Sequence, residues 1–114
     1  MAERLLPEQF REFERFVEKW VLPKGTQRME RRLSSRMEDI QEFYDAMTGR
    51  KDEMIRFLDQ HPLDEESMPS DHRRLLHLLL ALATVAPAVE FFGQPDVVDG
   101  FPAERILLQS GAHD

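Results

Sequence analysis

Three polar residues interrupt the most apolar stretch of the chain, residues 75–92. Burying His77, Thr84 or Glu90 there costs free energy unless hydrogen bonds satisfy each group. A few polar groups in apolar surroundings are also typical of a small-molecule site. The aromatic residues available for its walls include Trp20, the only tryptophan. These four residues therefore form a candidate ligand pocket. The alternative is that His77 and Thr84 face solvent or a helix contact along a strip of alanines, and that Glu90 is exposed.

A cluster of basic residues lies in the first third of the chain. If this region is helical, Arg28, Arg32 and Arg36 follow one another at four-residue spacing and line one face. Arginines in such a cluster bind phosphates, anionic ligands or acidic protein surfaces. The candidate anion or partner patch consists of Lys24, Arg28, Arg31, Arg32 and Arg36. The alternative is a solvated helix face, partly paired with glutamates of the preceding helix.

The four histidines do not have spacings typical of a metal site. His72 and His77 are five residues apart, whereas side chains that share a helix face are three or four apart. Neither forms a recognisable ligand set with a nearby Asp or Glu, and the chain has no cysteine. No phosphate-binding loop, nucleophile elbow or catalytic triad pattern is present. We therefore expect no metal and no cofactor, and the sequence favours a non-enzymatic role.

Charge is spread unevenly along these 114 residues, whose net charge is −7. Residues 1–36 hold nine Lys/Arg and six Asp/Glu, whereas residues 37–114 hold six and sixteen. This net negative charge argues against general nucleic-acid binding, because the phosphates of a nucleic acid repel a negatively charged protein. The absence of cysteine agrees with a reducing compartment, and the N-terminus shows no secretory signal, so we expect a cytoplasmic protein. Polar residues and Pro87 interrupt the apolar stretch, which favours a buried core helix over a membrane span.

The periodicity of apolar residues predicts three main helices. The first spans residues 7–22, with phenylalanines and Trp20 on one face and charged residues on the other. The second spans residues 26–60, because the apolar phase holds across Gly49; the alternative is a break there into two shorter helices. A continuous helix of that length would be about 50 Å long and would extend beyond its own domain.

The third helix is predicted over residues 70–92 and is apolar on nearly every side, with a kink at Pro87. Residues 93–114 read as a C-terminal arm with a possible short helix over residues 102–109. The predicted fold is a single all-α domain, residues 1–114. It is an up-and-down helical bundle with one long helix and a Pro-kinked central helix.

Three helices offer little material to enclose a helix that is apolar all round. We therefore expect a homodimer, because a second copy could supply the missing cover. A further option for the basic patch is antiparallel self-association of the long helix, in which its basic first half faces the acidic second half of its partner. The sequence predicts a small non-enzymatic interaction or accessory protein that self-associates, with a protein partner as a further possibility. The alternative is a protein that binds a small apolar ligand, or an enzyme acting on one, through a pocket near His77.

Overall fold

The computed structural model describes residues 5–60 and 66–94, and within these ranges every regular element is a helix. The first regular element of the described residues is a 3₁₀-helix (Glu8–Phe16) that continues into a short α-helix, α1 (Val17–Trp20). Four further α-helices follow: α2 (Gly25–Ser34), α3 (Met37–Thr48), α4 (Lys51–Asp59) and α5 (Ser70–Pro87). A π-helical turn (Ala88–Phe92) extends α5. The all-α class is confirmed, whereas the extent of the domain stays a prediction.

The first helical segment buries a row of aromatic side chains. Phe13 and Phe16 are three residues apart, a spacing that a 3₁₀-helix aligns on one face, whereas Phe10 has a non-helical backbone (φ −118°, ψ 18°) that kinks the segment. All three are buried, as is Trp20 one turn further on. The segment lies within the predicted range 7–22 and buries the predicted face.

The prediction of one long helix over residues 26–60 is wrong. The chain leaves the helical conformation at Ser35 (φ −93°, ψ 152°) and Arg36 (φ −74°, ψ 149°), and again at Arg50 (φ −128°, ψ 11°). At the first break, the hydroxyls of Ser34 and Ser35 donate to the Arg31 carbonyl, over 3.3 and 2.6 Å. Serine side chains that bond to the backbone in this way compete with continued helix. The second break follows Gly49, where the alternative prediction placed it.

Ion pairs show that the first helical segment and α3 run antiparallel. Arg15 Nη1 lies 2.8 Å from Glu42 Oε2, and Lys19 Nζ lies 3.2 Å from Asp39 Oδ2. The rising numbers on one element thus pair with falling numbers on the other. These exposed or half-exposed pairs contribute little stability individually, but they agree with one packing direction.

The core lies between α5 and the elements packed around it. α5 contacts α1, α2, α3 and α4, and it buries Leu75, Leu78 and Val85 completely. Pro87 is the last residue of α5, and the winding changes there to the π-helical turn; the predicted kink itself stays a prediction. The predicted C-terminal arm, beyond Gly93 and Gln94, lies outside the described residues.

Candidate functional site

The four residues of the candidate ligand pocket have separate environments. His77 is buried on α5. Trp20 is buried elsewhere, with its ring stacked on that of Phe43 at a centroid separation of 4.7 Å. The Thr84 hydroxyl donates to the carbonyl four residues earlier, over 2.9 Å. Glu90 is exposed. Neither of the two surface depressions described below includes His77, Thr84 or Glu90.

Glu90 is held by a side chain from α3. The Tyr44 hydroxyl donates to Glu90 Oε2 over 2.7 Å. This bond is the main cause of a raised pKa for Tyr44, because it stabilises the protonated phenol beside a carboxylate; desolvation adds to the shift. Tyr44 and Glu90 thus join α3 to the π-helical turn.

A shallow depression of about 310 Å³ lies beside Trp20. Its lining consists of Arg15, Phe16, Lys19, Trp20, Asp39 and Glu42. The charged members are the ion-paired residues that join the first helical segment to α3. Ligand pockets are lined mostly by apolar groups with a few polar ones. This depression instead has more charged than apolar side chains, so an apolar ligand would have to compete with existing ion pairs.

The predicted arginine stripe does not form, because α2 ends at Ser34. Arg36 lies beyond that end, is exposed, and places Nε 3.7 Å from Asp39 Oδ2. Arg28 Nη1 donates to the Leu22 carbonyl over 2.7 Å and so ties α2 back to the segment before it. These two members of the patch therefore belong to different parts of the surface.

Lys24 and Arg31 are two further members of the patch, at the surface of α2 and of the residue before it. Lys24 is exposed directly before α2, and Arg31 is half-buried. Arg31 lines a second depression of about 280 Å³ together with Leu22, Gln27, Glu30 and Ser34. The carboxylate of Glu30 in this lining weakens the case for an anion site, because it repels an anion.

Arg32, the remaining member of the patch, is an internal residue. It is 3% exposed, and its Nη1 donates to the Thr84 carbonyl over 3.0 Å. In a regular α-helix the Ala88 N–H would donate to the Thr84 carbonyl. Here it donates instead to the carbonyls of Val85 and Ala86. Arg32 thus supplies a donor where the winding of α5 changes, and its guanidinium lies 6.0 Å from the Phe92 ring centroid.

Helix α2 has its apolar and charged residues in unusual positions. Arg32 is its buried residue, whereas Met29 and Leu33 are 39% and 47% exposed. At 100° per residue, Arg28, Arg32, Met29 and Leu33 follow one another in that order around the helix. Because Arg32 points towards α5, Met29 and Leu33 lie about 60° and 100° around the helix from that buried arginine, on the side away from Arg28.

The outer face of α5 is also apolar. Leu80 is 38% exposed and Ala83 is exposed, while Leu76 and Leu79 are half-buried. No charged residue occurs between Arg74 and Glu90, so this face carries no charge over about four turns. The face continues into the π-helical turn, where one phenylalanine is 48% exposed.

Because α2 packs on α5, these side chains belong to two neighbouring helices. We call them the α2–α5 surface, which consists of Met29, Leu33, Leu80, Ala83 and Phe91. Five large apolar side chains are exposed in the described residues, and four of them belong to this surface; the fifth, Ile55, lies on α4. Monomeric soluble proteins rarely expose large contiguous apolar patches, and such patches mark interaction sites.

Residues 70–92 also meet the length and hydropathy of a membrane span. Their most apolar window has a mean hydropathy of 1.9, and half of that window is buried inside the protein. The core helix of a soluble protein passes the same test, so length and composition alone do not distinguish the two.

In the described part of the chain, no group of three or more His, Asp or Glu side chains is placed to hold a metal ion. Comparison of the chain with protein families, with characterised proteins and with solved structures found no match. The function is therefore argued from the surfaces of the chain itself.

Proposed function

We propose that this chain is a small non-enzymatic interaction or accessory protein that binds protein helices through the α2–α5 surface. The observation that carries the proposal is the clustering of exposed apolar side chains on two packed helices, one of which buries an arginine instead. Interface centres are depleted in charged residues and enriched in methionine and aromatic residues; this surface has no charged member and includes Met29 and Phe91.

A helix is the partner that this surface fits best. Leu76, Leu80 and Ala83 follow one another at intervals of four and three residues, which produces a ridge along α5. A second helix packs against such a ridge with its own residues at the same spacing. The exposed Lys24 and Arg36, on either side of α2, would attract a partner with acidic residues at its edge.

A matched pair of variants tests the proposal. Leu33 on the α2–α5 surface and Ile55 on α4 are 47% and 43% exposed, so Leu33→Glu and Ile55→Glu place a charge at comparable sites. The full chain and both variants are immobilised, and proteins retained from a lysate of the native cells are quantified by mass spectrometry. We expect a set of proteins that wild type and Ile55→Glu retain and Leu33→Glu loses. Equal retention by all three would contradict the proposal.

We also propose that the protein is cytoplasmic and has no nucleic-acid or membrane partner. Support comes from the net charge of −7, the absence of cysteine and the burial of half of the apolar window in α5. The alternative function, ligand binding near His77, has less support, because the polar groups expected to form one pocket lie in separate environments. Trp20 fluorescence that responds to an apolar compound at micromolar concentration would favour that alternative.

A further inference from the structure

We infer that α4 opens and closes as one unit while α5 stays folded, and that the Arg50 side chain is the latch that holds α4 closed. This conformational device goes beyond the proposed function and does not depend on the α2–α5 surface. Three observations carry it: the contacts of the Arg50 guanidinium, the small number of buried side chains on α4, and the change of backbone conformation at Arg50.

The guanidinium of Arg50 joins α4 to the first helical segment. Nε and Nη2 donate to the two carboxylate oxygens of Glu53 on α4, each over 3.0 Å. Nη1 donates to Glu12 Oε1, and Nη2 also donates to the Gln9 carbonyl over 3.3 Å; both acceptors belong to the first helical segment. The same guanidinium lies 5.1 Å from the centroid of the Phe10 ring. All three nitrogens of one side chain therefore connect the two elements.

The geometry of this cluster differs from that of an ordinary surface ion pair. Isolated exposed pairs contribute little stability, whereas a bidentate arginine–carboxylate contact or a network of several charges contributes more. Arg50 has both features, and its side chain is only 26% exposed. Its hydrogen bond to Glu53 is the main cause of a lowered pKa for that carboxyl group. Loss of Arg50 should therefore loosen α4 more than loss of Arg56, which is exposed on the same helix.

Few side chains of α4 are buried. Of its nine residues only Met54 and Leu58 are buried and Phe57 is half-buried, while the other six are exposed. The Phe57 ring packs edge to face against Phe10 at 5.6 Å and against His72 of α5 at 4.9 Å. In comparison, α5 buries seven residues. A region with few buried apolar side chains opens at a lower free energy than the core does.

Helix α4 also has little stability of its own. Isolated helices shorter than about 12–15 residues are marginal in water, and no side chain caps the first turn of α4. The backbone of Arg50 (φ −128°, ψ 11°) separates α4 from α3, and the Arg50 N–H donates to the Met47 carbonyl over 3.1 Å. Because that bond closes the end of α3, α4 can move without breaking hydrogen bonds within α3. Arg50 thus stands at the hinge and supplies the latch.

Thiol labelling measures the opening directly, because the natural chain has no cysteine. Met54→Cys places a thiol on the inner side of α4, and Leu78→Cys places one on α5; both native side chains are fully buried. Each thiol reacts with an aromatic disulfide reagent only while it is exposed, and its rate is divided by the rate of the same thiol in the chain unfolded by urea. We expect this corrected rate to be at least about tenfold higher at position 54 than at position 78.

Arg50→Gln, made in both cysteine variants, tests the latch. Hydrogen bonds that involve a charged group have an effect of about tenfold, so the corrected rate at position 54 should rise by roughly that factor. The rate at position 78 should change by less than about twofold. Arg56→Gln is the matched control, because it removes the same charge from an exposed position of α4, and it should change the rate at position 54 by less than about threefold.

Glu12→Gln separates a latch between two elements from an ion pair within α4. It removes the acceptor on the first helical segment and leaves the pair between Arg50 and Glu53 in place. The corrected rate at position 54 should rise by roughly threefold to tenfold. An unchanged rate would show that Arg50 acts only within α4 and would overturn its role as a latch.

Hydrogen exchange of the cysteine-free chain repeats the test without a substitution in the core. The amides of α4 should exchange as a group faster than those of α5, and Arg50→Gln should accelerate only the α4 group. Equal protection of α4 and α5, or equal corrected rates at positions 54 and 78, would overturn the inference, because α4 would then open only with the whole fold. Equal acceleration of both helices by Arg50→Gln would also overturn it. None of these measurements involves a partner, so their outcome leaves the proposed function to its own test.

Discussion

Arg32→Met keeps an unbranched apolar stem in the core but removes the guanidinium that donates to the Thr84 carbonyl. In wild type this bond supplies a donor at the point where Pro87 and the change of winding disturb the backbone bonding of α5. The substitution leaves that carbonyl without the Arg32 donor. It also removes the charge above the Phe92 ring, a weaker contribution at 6.0 Å.

The expected loss of stability follows from two opposing effects. A hydrogen bond that involves a charged group contributes about 1.5–3 kcal/mol. A buried charge also carries a desolvation cost, which an apolar side chain avoids. We therefore expect Arg32→Met to lower the free energy of unfolding by about 1–2 kcal/mol. For a chain of this size the melting temperature then falls by roughly 4–10 °C.

Arg31→Met is the matched control, because it removes the same charge from the neighbouring position of α2. Arg31 is only half-buried, so its loss should change the free energy of unfolding by less than about 0.5 kcal/mol. Urea and thermal unfolding are followed by circular dichroism at one fixed protein concentration, because a dimer makes stability depend on concentration. If Arg32→Met is as stable as wild type, or Arg31→Met loses as much, the structural role assigned to Arg32 is refuted.

Two further predictions concern the C-terminal end of α5 and its contact with α3. Gly93 has φ 64°, so Gly93→Ala should lower the free energy of unfolding by about 1–2 kcal/mol. Gly49 has φ −65°, so the control Gly49→Ala should leave that free energy unchanged or raise it slightly in the same melts. Glu90→Gln should bring the pKa of Tyr44, the only tyrosine, down towards its ordinary value in an ultraviolet titration. Because the folded-state pKa of Tyr44 is raised, its contribution to stability is fully present below about pH 10 and is lost as pH rises through that raised pKa; Glu90→Gln should remove this loss. An unchanged titration would contradict the role of the Tyr44–Glu90 bond.

The apolar spacing predicted the buried faces of the first helical segment and of α3, but it predicted neither the buried residue of α2 nor where the helices end. Phe13 and Phe16 are buried because their three-residue spacing directs them to one side in either type of helix. The break at Ser35 was missed because the apolar residues keep one helical phase across both interruptions, although Met29 and Leu33 of α2 are exposed. The local signal for that break is the pair Ser34–Ser35, whose hydroxyls bond to the backbone.

The burial of Arg32 was outside the reach of periodicity. In the sequence it stands among four other basic residues and resembles one member of a solvated stripe. Its partner carbonyl lies 52 residues away, so only the folded chain brings the two together. A signal does exist in the sequence, because Pro87 inside an apolar helix predicts disturbed carbonyl bonding that needs an outside donor. The exposure of Met29 and Leu33 follows once Arg32 takes the inward position.

Photo-crosslinking in the native cells tests most directly whether this chain works by binding proteins through the α2–α5 surface. A benzophenone amino acid is placed at Leu33 in one variant and at Ile55 on α4 in the other, since the two sites have similar exposure. The account predicts defined protein adducts from position 33 whose crosslinked segments are helical and apolar, and far fewer from position 55. Adducts of equal number and identity from both positions, or none from position 33, would contradict it.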